Sequence, residues 1–327
     1  MDSFKAYVID AEGSGVRAGF RQLEPTQLDA GDVTVRVAYA SVNYKDALAA
    51  SGRGKIIRRF PCVGGIDATG VVEESGNPRL RPGDPVIVHS HGFGVSHHGG
   101  YAERVRAPAE WVNKLPAGMT LLDAITIGVA GYTAALAVDL MELNGAAPGR
   151  GKVLVNGATG GVASVAIDLL AQRGYDIVAV TSKPAEAQYL KDLGAASVIS
   201  SAELNTGTRP LESAQWAAAV DSLGGEPLAG LIRTTQKDGV IASIGNAAGI
   251  ELSTTVMPFI LRGVRLIGVN SDNDVPTRER IWQRLASDLR PKHLERIRHV
   301  EPFDALPRVV DELIAGRNRG RAVIAVL

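Results

Sequence analysis

Lys152-Val-Leu-Val-Asn-Gly-Ala-Thr-Gly-Gly-Val-Ala-Ser-Val-Ala-Ile-Asp-Leu-Leu170 runs from an apolar strand pattern, through a turn rich in glycine, into an Ala/Val/Leu helix pattern. Strand, glycine turn and helix in that order form the context in which a dinucleotide is bound. Gly157 permits the tight turn, Gly160 and Gly161 let the backbone approach a pyrophosphate, and the small Ala163 lets the helix lie close against the strand. The helix start, with Thr159 and Val162 beside the glycines, offers unpaired N–H groups and a partial positive charge to phosphates. The spacing departs from the strict G-x-G-x-x-G, and a purely structural tight turn looks the same, so the flanking elements carry the reading.

On the C-terminal side the pattern alternates, with strands at 152–156, 176–181, 197–200, 217–221, 240–245 and 265–270 and helices at 162–173, 185–193, 226–235 and 277–289. Alternation at these lengths predicts βαβ units and a parallel sheet. The end of the second strand selects the nucleotide. An NAD site carries Asp or Glu about 20 residues beyond the glycines, where it binds the ribose 2′-hydroxyl. Here the strand closes on Thr181-Ser182-Lys183, while Asp176 stands at its opposite end and Glu186 lies in the next helix. A carboxylate would repel a 2′-phosphate, whereas a lysine beside two hydroxyls attracts one, so the segment predicts NADPH. The plainer reading is a surface loop with an uncommitted lysine. Asn246, after the strand at 240–245, and Asn270-Ser271, closing the strand at 265–270, stand at carboxyl ends where open α/β sheets bind ligands.

On the N-terminal side an Ala/Leu-rich helix is predicted over 124–143, ending at Asn144-Gly145. Before about residue 120 the chain reads as short β runs at 5–9, 33–40, 70–74 and 85–89, separated by turn signals such as Arg81-Pro-Gly-Asp-Pro85. That spacing predicts a barrel-like or partly open β domain. Residues 321–327 alternate like an edge strand, one able to return to this domain and make it discontinuous. The expected fold class is α/β: a β-rich domain at 1–125, completed by about 272–327, and a doubly wound parallel-sheet domain at 126–271. A length of 327 residues fits two domains at about 150 residues each.

Composition narrows the function classes. Apolar residues make up 45% and charged residues 21%, which is the balance of a globular chain. Lys+Arg and Asp+Glu are both 35, so the basic excess of a general nucleic-acid binder is missing. One cysteine, Cys62, excludes a disulfide framework and any zinc site built on several cysteines, and it suits a reducing compartment. The N-terminal residues lack an apolar signal-peptide core, and the charge-free stretches between Asp123 and Asp139 and between Lys152 and Asp168 are shorter than the roughly 20 residues of a membrane span. A soluble cytoplasmic protein is expected.

Ser41-Val-Asn-Tyr-Lys-Asp46, Gly64-Gly-Ile-Asp-Ala-Thr-Gly70, Arg81-Pro-Gly-Asp84, Ser96-His-His-Gly-Gly-Tyr-Ala-Glu103, Ile127-Gly-Val-Ala-Gly-Tyr-Thr-Ala-Ala-Leu136 and Thr255-Val-Met-Pro-Phe-Ile-Leu-Arg262 accompany the glycine turn. Together they resemble the medium-chain dehydrogenase/reductase superfamily over nearly the whole chain. Within it they resemble the YhdH/AcuI type, the acrylyl-CoA reductases also labelled quinone oxidoreductases. The resemblance implies a GroES-like catalytic domain and a Rossmann domain with NADPH in the cleft between them. It also implies reduction of an α,β-unsaturated acyl thioester, and a homodimer. Thr133 resembles the family position beside the nicotinamide, although a helix hydroxyl bonded one turn back reads the same.

Such a reduction needs a hydride at the β-carbon, a proton at the α-carbon and a donor to the oxygen on which charge develops. Tyr44 can donate to that oxygen or bind the coenzyme, and Asn43 can donate through its amide. Asp46 can orient Lys45 or a water, or simply cap the following helix; an ordinary packed Tyr44 is the corresponding bland reading. Arg53, Lys55, Arg58 and Arg59, with no acid between Gly52 and Phe60, can meet CoA phosphates, as can Arg317, Arg319 and Arg321. Charge runs are more often solvated faces. Zinc members of the superfamily place Cys where this chain has Asn43 and His-Glu where it has Ile66-Asp67, so no metal is expected. His89, His91, His97 and His98 read as a flexible loop rather than a metal site. The rival functions are a quinone or enone reductase, a zinc alcohol dehydrogenase, and a non-enzymatic nucleotide- or RNA-binding protein.

Overall fold

The computed structural model describes residues 2–204 and 206–327. Strands β1 (Phe4–Glu12), β2 (Gly15–Leu23) and β3 (Val33–Val42) lead into helix α1 (Tyr44–Ser51). Then come β4 (Cys62–Val63), β5 (Asp67–Ser75), β6 (Pro85–His89), β7 (Arg104–Ala107), β8 (Val112–Lys114) and helix α2 (Leu121–Leu143). The alternating part is β9 (Lys152–Val155), α3 (Gly161–Gln172), β10 (Asp176–Thr181), α4 (Ala187–Asp192), β11 (Ser197–Ser200), β12 (Trp216–Asp221), α5 (Gly225–Thr234), β13 (Thr235–Ser243), α6 (Met257–Arg262) and β14 (Arg265–Gly268). The chain closes with α7 (Val275–Ala286), α8 (Leu294–Ile297), β15 (Arg298–Pro302), α9 (Leu306–Ile314) and β16 (Arg321–Ala325). Contacts divide these elements into two units. The first runs to Ala130 and takes in Asp272–Asp288 and Leu294–Leu327; the second is Gly131–Ser271 with Leu289–His293.

The first unit is β-rich. A seven-stranded sheet has the order β15-β16-β3-β5-β6-β8, with β7 paired to β3, and a three-stranded sheet has the order β2-β1-β4. Alternation builds its core: Val33, Val35 and Val37 of β3 and Val86 and Val88 of β6 are buried in one apolar cluster with Phe4, Val8 and Tyr101. Strand β2 was not anticipated. It pairs with β1 over its whole length, from Phe4↔Leu23 to Glu12↔Gly15, but most of it is exposed or half-buried, so it lacks the apolar signature of a strand. The C-terminal strand corrects the sequence expectation. β16 is not an edge: it lies between β15, parallel to it, and β3, antiparallel to it, with Ala322, Val323 and Ile324 fully buried.

The second unit holds one sheet of six parallel strands in the order β11-β10-β9-β12-β13-β14. Numbered within the unit this is 3-2-1-4-5-6, the doubly wound order that reverses between β9 and β12. The strands are apolar on both faces because both are covered: Leu154, Val178, Ala219 and Ile241 are buried on one face, and Val153, Val155, Ile177, Ala179 and Val220 on the other. Helix α2, 23 residues long and apolar, is long enough to cross a membrane. Most of it is buried inside the protein, however, and its backbone breaks at Gly128 (φ 51°, ψ −160°), so it is a core helix.

Candidate active site

In the second unit, most of the coenzyme residues expected from the sequence lie at the carboxyl ends of the parallel strands. Gly157 turns the chain at φ 57° directly after β9, and a Cβ there would approach the Ser222 side chain to 3.3 Å. Gly160 is the N-cap of α3 and has no side chain with which to cap it, so the first-turn N–H groups of Gly161 and Val162 are left for a ligand. Ala158 N donates to Val180 O at 3.1 Å, which sets the glycine turn beside the end of β10. There Thr159 and Thr181 are buried, Ser182 is exposed, and the Thr181 hydroxyl accepts from Lys183 N at 3.0 Å. Burial lowers the Lys183 pKa, with Glu186 acting in the opposite direction. Asn246 follows β13 and is exposed; Asn270 and Ser271 follow β14, whose end is held by Val269 N donating to Ser243 O at 3.0 Å. Thr133 sits on α2 rather than at a strand end and is buried.

Three residues of this site escaped the sequence reading. Asn156 donates to Asp221 Oδ1 at 2.5 Å and accepts from Ser222 N at 2.7 Å, so the glycine turn is fastened to the end of β12. Asp221 also accepts from Gly224 N at 2.9 Å; burial raises its pKa and these hydrogen bonds oppose the rise. The Ser222 hydroxyl, facing the turn, is buried with no hydrogen-bond partner among the described residues. A positive-φ glycine, an uncapped helix start and an unpaired hydroxyl at the switch point fit a dinucleotide. The available signal was Asn156 itself, a polar residue immediately before the turn.

In the first unit, Asn43, Tyr44 and Asp46 lie at the start of α1 and divide in role. Tyr44 is 46% exposed, which removes the reading as a packed core tyrosine. Asp46 is buried, and its oxygens accept from Asn43 N (2.9 Å), Asn43 Nδ2 (3.1 Å) and Ile66 N (2.9 Å). It is the third residue of a capping box and does not reach Lys45, which points to solvent. Burial, then the nearby Asp67 charge, pushes its pKa up to about 7. The Asn43 amide is likewise engaged inside the protein: Nδ2 donates to Asp46 and, at 3.3 Å, to Ser41 Oγ, while Oδ1 accepts from Arg321 at 2.7 Å. Asn43 and Asp46 are thus engaged in holding the start of α1, and Tyr44 is the side chain presented outward.

The cationic runs separate in the same way. Arg53, Lys55, Arg58 and Arg59 are all exposed on the loop after α1, and Arg59 is paired with Asp29. Arg321 belongs to no surface run: it is buried in the first unit, and burial lowers its pKa against the pull of Asp67 and Asp46. The histidine loop is not an open flap. His89 accepts from Trp282 Nε1 at 3.1 Å, and His98 Nδ1 accepts from Val63 N at 3.0 Å. His91 lies between Arg278 (2.8 Å) and Asp272 (2.7 Å), and His97 faces the carbonyls of His98 and Ala30, both at 3.0 Å.

Family models match two stretches: the alcohol dehydrogenase GroES-like domain over residues 29–117 and the zinc-binding dehydrogenase over residues 161–287. The donor set does not fit the zinc of the second description. Asn43 and Ile66 are not metal ligands, and Asp67 is bonded to Ser41, Val129 and Arg321. Cys62 is buried with its thiol pushed up to about 12, and no metal-holding group of three His, Cys, Asp or Glu occurs among the described residues. The acrylyl-CoA reductase AcuI of Ruegeria pomeroyi is 41% identical, over 99% of both chains. The YhdH oxidoreductase of Salmonella enterica, solved in complex with NADP, is 41% identical with a TM-score of 0.95, covering 98% of this chain and 99% of that one. The YhfP protein of Bacillus subtilis, solved with NAD bound, is 39% identical with a TM-score of 0.96, covering 99% and 100%. Likeness at this level over the full length, on a fold with the same two units, means that the chain belongs to the medium-chain dehydrogenase/reductase superfamily, in its YhdH/AcuI-type branch.

Proposed function

We propose that this protein uses NADPH to reduce the C=C bond of an α,β-unsaturated acyl thioester, with acrylyl-CoA converted to propionyl-CoA. The strongest support is the near full-length likeness to the Ruegeria enzyme of that name. The coenzyme assignment rests on Thr181, Ser182 and Lys183 at the end of β10, where no carboxylate stands. Bound, the reduced nicotinamide supplies the hydride that reaches the β-carbon, and a proton from solvent completes the α-carbon. The protein's part is to bind and orient. Gly157, Thr159, Gly160, Gly161 and Val162 hold the pyrophosphate through backbone N–H groups, and Lys183 with the two hydroxyls holds the 2′-phosphate. Thr133, Asn246, Asn270 and Ser271 complete the coenzyme site.

Tyr44 donates its hydroxyl to the thioester carbonyl oxygen, where charge develops as the hydride arrives. Asn43 and Asp46 hold the start of α1 on which Tyr44 stands. Arg53, Lys55 and Arg58, exposed on the next loop, receive the CoA phosphates, while Arg59 stays with Asp29. A quinone would not use that loop. Steady-state rates with acrylyl-CoA, crotonyl-CoA and a benzoquinone, each under NADPH and NADH, test the reading. Acrylyl-CoA with NADPH should give the highest kcat/KM, and Tyr44→Phe should lower kcat by about 10–100-fold. Reduction of the quinone with no thioester turnover would replace this function with quinone reduction.

A homodimer is part of the proposal. β14 is one of the two edge strands of the parallel sheet, and Ile250, Val256, Ile260 and Leu261, in and before α6, are more than half exposed. A strand edge with exposed apolar side chains close in sequence suits a second copy of the same surface. Light scattering should give twice the chain mass, and Ile260→Glu should shift it to the monomer. The single buried cysteine favours a reducing compartment, and we place the enzyme in the cytoplasm.

A further inference from the structure

We propose that Arg321, on the C-terminal strand, is a positioning residue that fixes the Asn43–Tyr44 corner by bridging the Asn43 side chain to the break in α2. Its guanidinium is almost fully buried and aims its planar fork at polar atoms of separate chain segments. Nη1 donates to Asn43 Oδ1 at 2.7 Å, Nη2 to Ser41 Oγ at 2.5 Å and Nε to the Thr126 carbonyl at 3.1 Å. The nearest counter-charge, Asp67 Oδ2, is farther away at 3.5 Å. A guanidinium buried mainly to form an ion pair would meet the carboxylate through two close parallel bonds. Here the short bonds go to Asn43 and Ser41 instead.

Asp67 completes the arrangement from the other side. Its Oδ1 accepts from Ser41 Oγ at 2.5 Å, and its Oδ2 accepts from Val129 N at 2.9 Å, just past the break at Gly128. Asn43, with its carbonyl oxygen fixed by Arg321, turns its amide hydrogens toward Asp46 and Ser41, and this sets the capping box from which α1 starts. Tyr44 is the first residue of that helix. The orientation of its hydroxyl is thus set by an arginine 277 positions away in sequence, counting from Tyr44 to Arg321. Lysine would keep the charge but, as a point donor on a flexible stem, cannot engage Asn43, Ser41 and Thr126 at once.

The inference rests on the role proposed for Tyr44, and its test separates the two. In Arg321→Lys, amide hydrogen exchange at residues 43–47 should rise by about tenfold or more relative to wild type, with exchange in β9 and β10 unchanged. NADPH affinity, measured by coenzyme fluorescence without substrate, should stay within about twofold, and kcat with acrylyl-CoA should fall by about 10–100-fold. In a Tyr44→Phe background the same substitution should lower kcat by no more than about twofold, since both changes act through one hydroxyl. Unchanged exchange at 43–47 overturns the proposal whatever the activity. An equal loss of kcat in both backgrounds also overturns it, because a general structural effect multiplies. If wild type turns over no thioester, the proposed function fails and the exchange result alone decides the role of Arg321. Should Arg321→Lys not fold, Arg321→Gln, which removes the guanidinium fork but leaves Asn43 and Asp46 in place, must raise exchange at 43–47 in the same way.

Discussion

Lys183→Asp should reverse the coenzyme preference. The end of β10 has no carboxylate of its own, and Lys183 is the cation placed there, its backbone fixed by the bond from its N–H to the Thr181 hydroxyl. Removing a charge-assisted hydrogen bond to the 2′-phosphate costs about 1.5–3 kcal/mol, and a carboxylate in its place adds repulsion. For NADH the same carboxylate gains a 2′-hydroxyl to accept from. The ratio of kcat/KM for NADPH over that for NADH should fall by about 10²–10³-fold, since each 1.4 kcal/mol is a factor of ten. The comparison with relatives sharpens this expectation. One is solved with NADP and another with NAD, at nearly the same overall identity, so this fold accommodates either coenzyme. A ratio that stays at the wild-type value would mean that Lys183 lies outside the phosphate site.

The parallel-sheet unit was legible because its signals are local. An apolar run, a glycine turn and an apolar helix are each read within about twenty residues, and the strands, buried on both faces, are apolar without interruption. Thr181, Ser182 and Lys183 could be placed beside the glycine turn because βαβ geometry puts consecutive parallel strands side by side. The β-rich unit was less legible. β2 is a strand by pairing alone, and β16 reads as an edge because it is short and opens on an arginine. Helix α9 was within reach: Leu306, Val309 and Val310 fall on one buried face at helical spacing.

What sequence could not supply at the Tyr44 corner was the partner of each polar group. Asn43 and Asp46 are recognisable as residues that do chemistry or cap helices, and only the distances to Ile66, Ser41 and Arg321 show what they hold. Arg321 groups with Arg317 and Arg319 in the sequence, and a charge run looks like a solvated face. Its destination depends on a return of the chain to β3, a pairing between residues about 280 apart that no local pattern encodes.

Gly128→Ala should strongly destabilise the β-rich unit. Its backbone (φ 51°, ψ −160°) lies in a region that L side chains essentially do not adopt. The added Cβ would also stand 2.5 Å from Asp67 Oδ2 and 2.6 Å from Arg321 Nη2, inside the contact distance of any real carbon. Neither neighbour can yield easily. Asp67 is held by Ser41 and Val129, and Arg321 by Asn43 and Thr126, all within the buried interior. Backbone strain of about 1–3 kcal/mol therefore adds to the disruption of a buried charge cluster, for which losses of about 3–5 kcal/mol are usual. Gly118→Ala is the matched control, because Gly118 also has positive φ (80°) but nothing lies within 4 Å of its Cβ position. It should cost only the strain. Calorimetry should show the Gly128→Ala transition lowered by roughly 10 °C or more and the Gly118→Ala transition lowered by only a few degrees. The glycine turn at 157–161 belongs to the other unit and should keep its coenzyme affinity wherever Gly128→Ala remains folded. Equal effects from the two glycines would mean that the space around Gly128 is open, and that Asp67 and Arg321 are not packed there as described.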